Sequence, residues 1–538
     1  MNFNKLVLIM LLSVSSIFAQ DIGTTEVKVK EGFNPIIPEA SRLNENATFA
    51  DTIKKDRAQT YETIDAGLKS DYKTKPLAVA QVRDDKISQL YGTKIRVGFG
   101  SAWISKAGIV HNSGRSKNLS YGVIANHSAN KYSLAQNSKN TINLYAKKIR
   151  PSCILMTNLD YDRRTALYYD EKLNLMEDKF FSNRFAYTKL SFTAISKESN
   201  PQGLKHYTTF FISDLNEFSE NQIHLSSNLS KTIAGRPFNL GAQFNNYLRY
   251  NNSQSEVENT DLKLLSFSPS TVFTKYGIDF SLGVDFNFLS DDSPIGFYPQ
   301  IKLQKELVED VLLFYGGLRY RQLGNTLKSL SDENPYIHSF GTNQYILAGD
   351  SFLQELKITD KQELYLVMRN VLGVEEVLEC GIAYGKIQNF AHFIGTPHPI
   401  YNRFQVAYVD VKQFHANLNY SREINSIIGL NANANYFSWD MDIYNKPNFI
   451  SNLSIPINLR DKIKVALSIS YMSKRSIMDN ISSELPAKIH SNLGLYYSYS
   501  KQLSAYLQLN NITNSKKDLW VGYREMGFNA VFSINFSF

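Results

Sequence analysis

His392 and His398 stand close together in the segment Ala391 to Pro399 and could offer two imidazoles to a metal ion. No carboxylate or Cys lies beside them at ligand spacing, so solvated loop histidines are the commoner reading of such a pair. Asp160, Asp162, Arg163 and Arg164 gather charge of both signs at the end of an alternating stretch. They could hold a ligand carboxylate or phosphate, although a solvated strand end or an ion pair facing a lumen is the plainer role. Asp332, Glu333 and Asn334 would suit a hard cation, yet Glu333-Asn334-Pro335 is equally a turn initiator. Ser and His occur throughout, but no spacing sets a nucleophile beside a base, and no glycine-rich phosphate loop or zinc-protease motif is present. Cys153 and Cys380 are far apart; they could pair, but they make no metal-type spacing. No catalytic, cofactor-binding or metal-binding residue is assigned, no cofactor is implied, and the chain is not read as an enzyme.

What would carry these side chains is set by periodicity. In the last residues Phe528, Ala530, Phe532, Ile534, Phe536 and Phe538 share one parity. Asn529, Val531, Ser533, Asn535 and Ser537 share the other, so a strand there has one greasy and one mostly polar face. The pattern recurs: Phe280, Leu282, Val284, Phe286 and Phe288 oppose Asp279, Ser281, Gly283, Asp285 and Asn287, and Leu503 to Leu509 oppose Ser504 to Asn510. A soluble sandwich would alternate as well. The polar parity here is rich in Ser, Asn, Gln and Tyr, the strands are many, and no clear amphipathic helix interrupts them. That suits a lipid-facing wall around a water-facing lumen.

Met1 to Ala19 carries Lys5, the apolar run Leu6 to Leu12 and then small residues, which reads as a secretory signal cut before Gln20. The run is too short to span a bilayer, and no later stretch is long and apolar enough to do so as a helix. Charged residues make up only 20% while aromatics reach 13%, with 32 Tyr and 33 Phe, an excess that two interfacial aromatic girdles would use. Mean hydropathy is negative, as expected where only alternate strand residues meet lipid. The net charge of +8 is compatible with anionic headgroups or simply with a solvated surface, and no nucleic-acid partner is read from it.

Residues 20–88 are rich in Lys, Asp, Glu, Thr and Pro, and Phe33, Pro35, Ile36, Ile37 and Pro38 are their only local apolar cluster. Such a segment cannot bury a core of its own and is expected to be an irregular periplasmic arm, with a short helix within 51–68. Residues 89–538 are expected to form the barrel. Strands are expected from Ile95 through Phe99, at 121–133, 141–148 and 154–161, and then at segments from 185–197 to 502–512, among them 343–357, 402–411 and 412–422. With the closing strand these make about twenty-two or twenty-three, and both ends in the periplasm require an even number. The expectation is an all-β transmembrane antiparallel barrel of about twenty-two strands, with twenty as the alternative.

Several phrases carry a resemblance. They are Gly32-Phe33-Asn34-Pro35, Val97-Gly98-Phe99-Gly100, Ser120-Tyr121-Gly122, Leu159-Asp160-Tyr161-Asp162-Arg163 and Leu327 to Pro335, followed by Asn510-Asn511-Ile512-Thr513-Asn514 with Trp520, Tyr523 and Gly527. In order and nearly along the whole mature chain, they resemble the TonB-dependent-receptor-like outer-membrane barrels of Bacteroidota that lack a full plug domain. The resemblance implies an outer-membrane address and a receptor-like architecture, and it supplies no ligand and no binding residue. A full TonB-dependent transporter places a globular plug ahead of its barrel, and residues 20–88 are too few for one. Thr24-Thr25-Glu26-Val27 and Asp51-Thr52-Ile53 are faintly like a TonB box, but matches that short arise by chance.

The implied function is ligand or partner binding, with solute uptake across the outer membrane. The alternatives are a scaffold barrel in an outer-membrane assembly and a passive porin. Expected partners are outer-membrane lipid, the barrel-assembly machinery during biogenesis, and a periplasmic protein reached through residues 20–88. The arm, through Phe33 to Pro38, is expected to dock at the periplasmic mouth or in the lumen, because a barrel this wide needs a plug or leaks.

Overall fold

The computed structural model describes residues 91–538 apart from 115, 117, 133–134, 168–181, 198–202, 217–219, 250–261, 290–294, 338–356, 396–403, 461 and 479–483. The chain divides into two units, Met1–Asp85 and Lys86–Phe538, and the second is the one described below. The signal segment, the arm with its Phe33 to Pro38 cluster, the helix expected within 51–68 and both TonB-box-like phrases lie outside the described residues. So do His398 and the strand expected over 343–357, up to residue 356.

Period-two alternation requires strands, and strands in hydrocarbon require a sheet without edges. Both conditions are met by a single antiparallel sheet of 22 strands. Neighbours in sequence pair all the way round, and Thr93–Gly100 closes the ring on Asn529–Ser537, with Ile95 opposite Phe536 and Val97 opposite Ile534. No described helix is long and apolar enough to cross a membrane. The crossing elements are the strands, and the architecture is an all-β transmembrane barrel.

The register of the closing strand follows its alternation. Phe532, Ile534 and Phe536 are 51%, 48% and 45% exposed, whereas Ser533 and Asn535 are 2% exposed, so the aromatic parity faces outward and the polar parity inward. Phe288, Leu303, Leu366 and Tyr384 continue the exposed apolar face on other strands, while Asp285 and Asn287 point to the buried side.

The two rims differ. At one, strands are joined by tight turns such as Ala234-Gly235 and Tyr276-Gly277. Each has two consecutive positive φ angles, 50° and 78° in the first, 54° and 67° in the second, which is the hairpin geometry that matches strand twist and favours Gly at the second position. Both chain ends of the barrel, Thr93 and Phe538, lie at this rim. At the other, the connections are long, as between Leu312–Gly324 and Ile358–Gly373 or between Leu503–Asn510 and Asn529–Ser537.

Three strand assignments change. Ser105–Asn112 is a strand that the alternation does not reveal, because Ile109 is its one large exposed apolar residue and Ala107 and Gly108 leave no contrast between faces. Residues 402–411 and 412–422 are not two strands but one, Phe404–Glu423, paired along its length with Glu376–Gly395. Its inward Val411 packs with Ile387 and Ile443 in a small apolar core, so the apolar parity changes partway along and imitates a strand break. Leu312–Gly324 pairs directly with Ile358–Gly373, so no strand from 343–357 stands between them in the wall.

Candidate functional site

The long connection after Leu312–Gly324 begins with a short helix, α1 (Leu327–Glu333). Thr326 caps it by accepting the Ser329 N–H at 3.0 Å, and the Glu220 carboxylate on the barrel wall accepts the Leu327 N–H at 2.8 Å. Asn334-Pro335 ends it, since Pro cannot continue a helix. The helix turns Leu327 and Leu330 into a buried apolar core with Phe185, Leu215, Phe393 and Trp520. Phe185 and Leu215 come from the sixth and seventh strands of the ring, and Phe393 and Phe404 from the fifteenth and sixteenth. In a closed ring of 22 these are nearly opposite, so the segment 325–337 spans the long-loop mouth.

Polar contacts tie residues 335–337 to both walls. Asn183 on one wall donates to the carbonyls of Pro335 and Ile337 at 2.9 and 3.0 Å. On the opposite wall the Phe404 N–H donates to the Tyr336 carbonyl at 3.2 Å, and Ile337 forms a parallel bridge with Phe404. Tyr336 stacks on Tyr523 with ring centroids 3.6 Å apart, and burial pushes its phenol up to about 12. Tyr523 and Trp520 belong to a small hairpin in the last long connection. The guanidinium of Arg475 donates to the Leu519 carbonyl and lies over the Trp520 ring.

Four of the charged residues singled out in the sequence, Asp162, Arg164, Asp332 and Glu333, serve this span. Arg164 pairs with Asp332 at 3.2 Å, and Lys328 reaches Asp332 at 2.7 Å and Asp162 at 3.7 Å. Glu333 pairs with Lys446, and Asn334 accepts the Tyr336 N–H at 3.0 Å. The acidic side chains are thus neutralised by cations, which removes the reason to expect a hard cation there. Asp160 accepts from Asn143 at 2.5 Å as part of the inner wall. His392 is 7% exposed and sits against Tyr444. Among the described residues no group of three or more His, Cys, Asp or Glu is placed to hold a metal, and Cys153 and Cys380 are free thiols.

Beneath the mouth the inner wall has two cavities that sequence reasoning did not single out. One, of about 560 Å³, is Asn-rich, with Asn419, Asn431, Asn433 and Asn452 alongside Arg369 and Glu379. The other, of about 370 Å³, lies close to the span, and Gly324 and Ile358 at its upper edge flank the long connection. Its lower wall carries Gln222, His224, Gln243, Asn245, Asp285 and Gln300. His224 Nδ1 is 2.5 Å from the Asn245 amide oxygen, which also accepts from Gln222 at 3.3 Å. The signal for this cavity is present in the sequence as polar parity, but only ring closure brings eight neighbouring strands into one concave surface.

No family model matches the chain, and no curated protein matches it. Solved structures do. A ferric enterobactin receptor (PfeA) from Pseudomonas aeruginosa is similar with a TM-score of 0.60 at 12% identity, over 83% of this chain and 80% of that one. The ferric-catecholate import receptor Fiu from E. coli K12 gives 0.58 at 10% identity, over 84% and 82%, and the siderophore receptor PirA from Pseudomonas aeruginosa gives 0.58 at 12%, over 83% and 79%. At these identities the likeness is one of fold.

Proposed function

We propose that this chain is a TonB-dependent-receptor-like barrel of the outer membrane that binds a ligand arriving at its long-loop mouth and passes it inward. The observation that carries the reading is the apolar span of residues 325–337 across that mouth, because a general diffusion pore has no use for a buried core spanning its entrance. The structural neighbours, named as receptors for ferric enterobactin and as an import receptor for ferric catecholates, support a receptor class and leave the substrate open. In this reading residues 1–19 are an export signal. Residues 20–88 close the short-turn rim or meet a periplasmic protein, and the barrel is of the Bacteroidota type without a full plug.

Planar-bilayer recording tests this. The full chain is expected to show no steady porin-like conductance, and deleting residues 28–88 while retaining the signal is expected to raise conductance. A large steady current through the intact protein, unchanged by the deletion, supports a passive porin instead. No current in either form, with a periplasmic protein captured by the arm, supports the scaffold reading.

A further inference from the structure

The outer wall of the barrel carries a further cavity, of about 610 Å³, on the face that meets lipid. Its floor is Gly316, set in register between Leu303 and Leu366 on the neighbouring strands. A Cβ on Gly316 would stand 2.6 Å from the Tyr365 carbonyl oxygen, so the floor admits no side chain. Gly317 beside it has a φ of 149°, which side chains rarely adopt, and the glycine pair leaves a dent in an otherwise bulky face. Leu364, Leu366, Ile382 and Tyr384 on the walls of the dent are exposed, so the described chain leaves it open to hydrocarbon. The cavity runs obliquely. Ile278 and Lys305 at one end stand beside the short-turn rim, while Tyr384 and Phe414 at the other lie midway along their strands. An acyl chain whose headgroup stays at the interface follows the same course.

Cations collect at the rim end. Lys231, Arg236, Lys275 and Lys305 are exposed and share the parity of the outward residues Leu225, Leu240, Phe267 and Leu303 on the eighth, ninth, tenth and twelfth strands. Among the described residues none of the four forms an ion pair. Arg236 lies over the Phe273 ring at 6.0 Å, Phe273 stacks on Phe280 with centroids 5.2 Å apart, and Lys275 lies over Tyr276 at 5.1 Å. Cations over aromatic rings at the end of an apolar band mark the headgroup level. Lys275 is opposite Ile278, and Ile278 lines the cavity with Lys305, so these two lysines flank its rim end about 10 Å apart at ordinary strand spacing. The acidic residues near them are placed otherwise. Asp279 accepts from the Thr274 hydroxyl at 2.5 Å, and Glu309 and Asp310 lie in the turn beyond the strand end.

We infer that this groove seats an anionic glycerophospholipid from the leaflet at the short-turn rim, with its phosphate between Lys275 and Lys305 and an acyl chain in the dent over Gly316. The apolar lining suits the chain, and the unpaired cations suit a headgroup of net negative charge. A zwitterionic headgroup brings its own ammonium to the same place and gains less. The inference depends on the transmembrane barrel and is independent of the receptor reading. Native mass spectrometry of the full chain, released from detergent after mixing with equal amounts of dipalmitoyl phosphatidylglycerol and dipalmitoyl phosphatidylethanolamine, tests it. Retention of phosphatidylglycerol is expected with a preference of about tenfold, from two cations near the headgroup. Lys275→Gln with Lys305→Gln should remove the preference, and Leu366→Trp, which fills the dent, should lower retention of both lipids. Lys148→Gln, an outward cation on the fourth strand, should change neither, and heat-modifiable migration verifies that each variant is folded. Dihexanoyl phosphatidylglycerol, with the same headgroup and short chains, should fail to displace the long-chain lipid. Equal retention of the two lipids, a preference that survives the double substitution or falls equally in Lys148→Gln, retention that ignores Leu366→Trp, full displacement by the short-chain lipid, or a dimer without bound lipid overturns the inference.

Discussion

Asp332 and Glu333 show how a residue's meaning depends on what the fold sets opposite it. Adjacent in sequence, they pair with Arg164 on one wall and with Lys446 in the loop beyond the seventeenth strand. Both acidic side chains are more than a third exposed, so each pair is worth about 1 kcal/mol or less, and Asp332→Ala alone is expected to leave the span in place. Leu330 is different, being 3% exposed in the apolar core. Leu330→Ala is expected to destabilise the span by about 2–5 kcal/mol. In a Trp103→Phe, Trp439→Phe background, which leaves only Trp520 of the three tryptophans, the variant should shift the fluorescence to the red, and an unchanged spectrum would count against a packed core. Tyr336 adds a pH dependence. Its phenol is raised by burial to about 12, so its contribution is complete below the unfolded value near 10 and is lost as pH rises through 12. Tyr336 ionisation should therefore move the Trp520 signal between about pH 10 and 12, and Tyr336→Phe should remove that transition. A transition above about pH 10 that persists in Tyr336→Phe would mean that another group controls the span.

At the scale of elements, the closing strand was legible because lipid and lumen impose opposite chemistry on alternate residues, and Phe532, Ser533, Ile534 and Asn535 obey it one by one. Replacing Phe536 with Asp puts charge on the outward face at a cost of roughly 2 kcal/mol or more near the bilayer midplane and less at an interface. Replacing Ser533 with Thr keeps a polar group on the inward face. Gel migration before and after heating should show loss of the folded form in the first variant and retention in the second, and equal folding of both would mean that this strand is not the seam. Legibility failed where the alternation was muted or inverted. Ser105–Asn112 has small residues on both faces, and Phe404–Glu423 turns an apolar side inward around Val411. The helix α1 was also hard to read, since seven residues hold only two core positions, Leu327 and Leu330, and their partners come from strands remote in sequence. The charge group Asp160 to Arg164 was recognised as chemistry, but the helix that needs Asp162 and Arg164 could not be seen from it.

For the molecule as a whole, ring closure turns alternation into an enclosed interior, and that interior holds both cavities beneath the span. Neither cavity is local in sequence: the smaller draws on residues from Phe211 to Ile358, so no motif could have announced it. Residues 325–337, lying across the mouth, should restrict access from the long-loop side to the cavity in the lumen. Gln243, exposed on the inner wall, is a suitable reporter. The measurement is the rate at which Gln243→Cys, in a Cys153→Ser and Cys380→Ser background, reacts with a membrane-impermeant maleimide added to intact cells. Labelling should be slow in this protein and at least tenfold faster when Leu327→Ser and Leu330→Ser break the core; rapid labelling before the core is broken, or no acceleration after, would contradict the account.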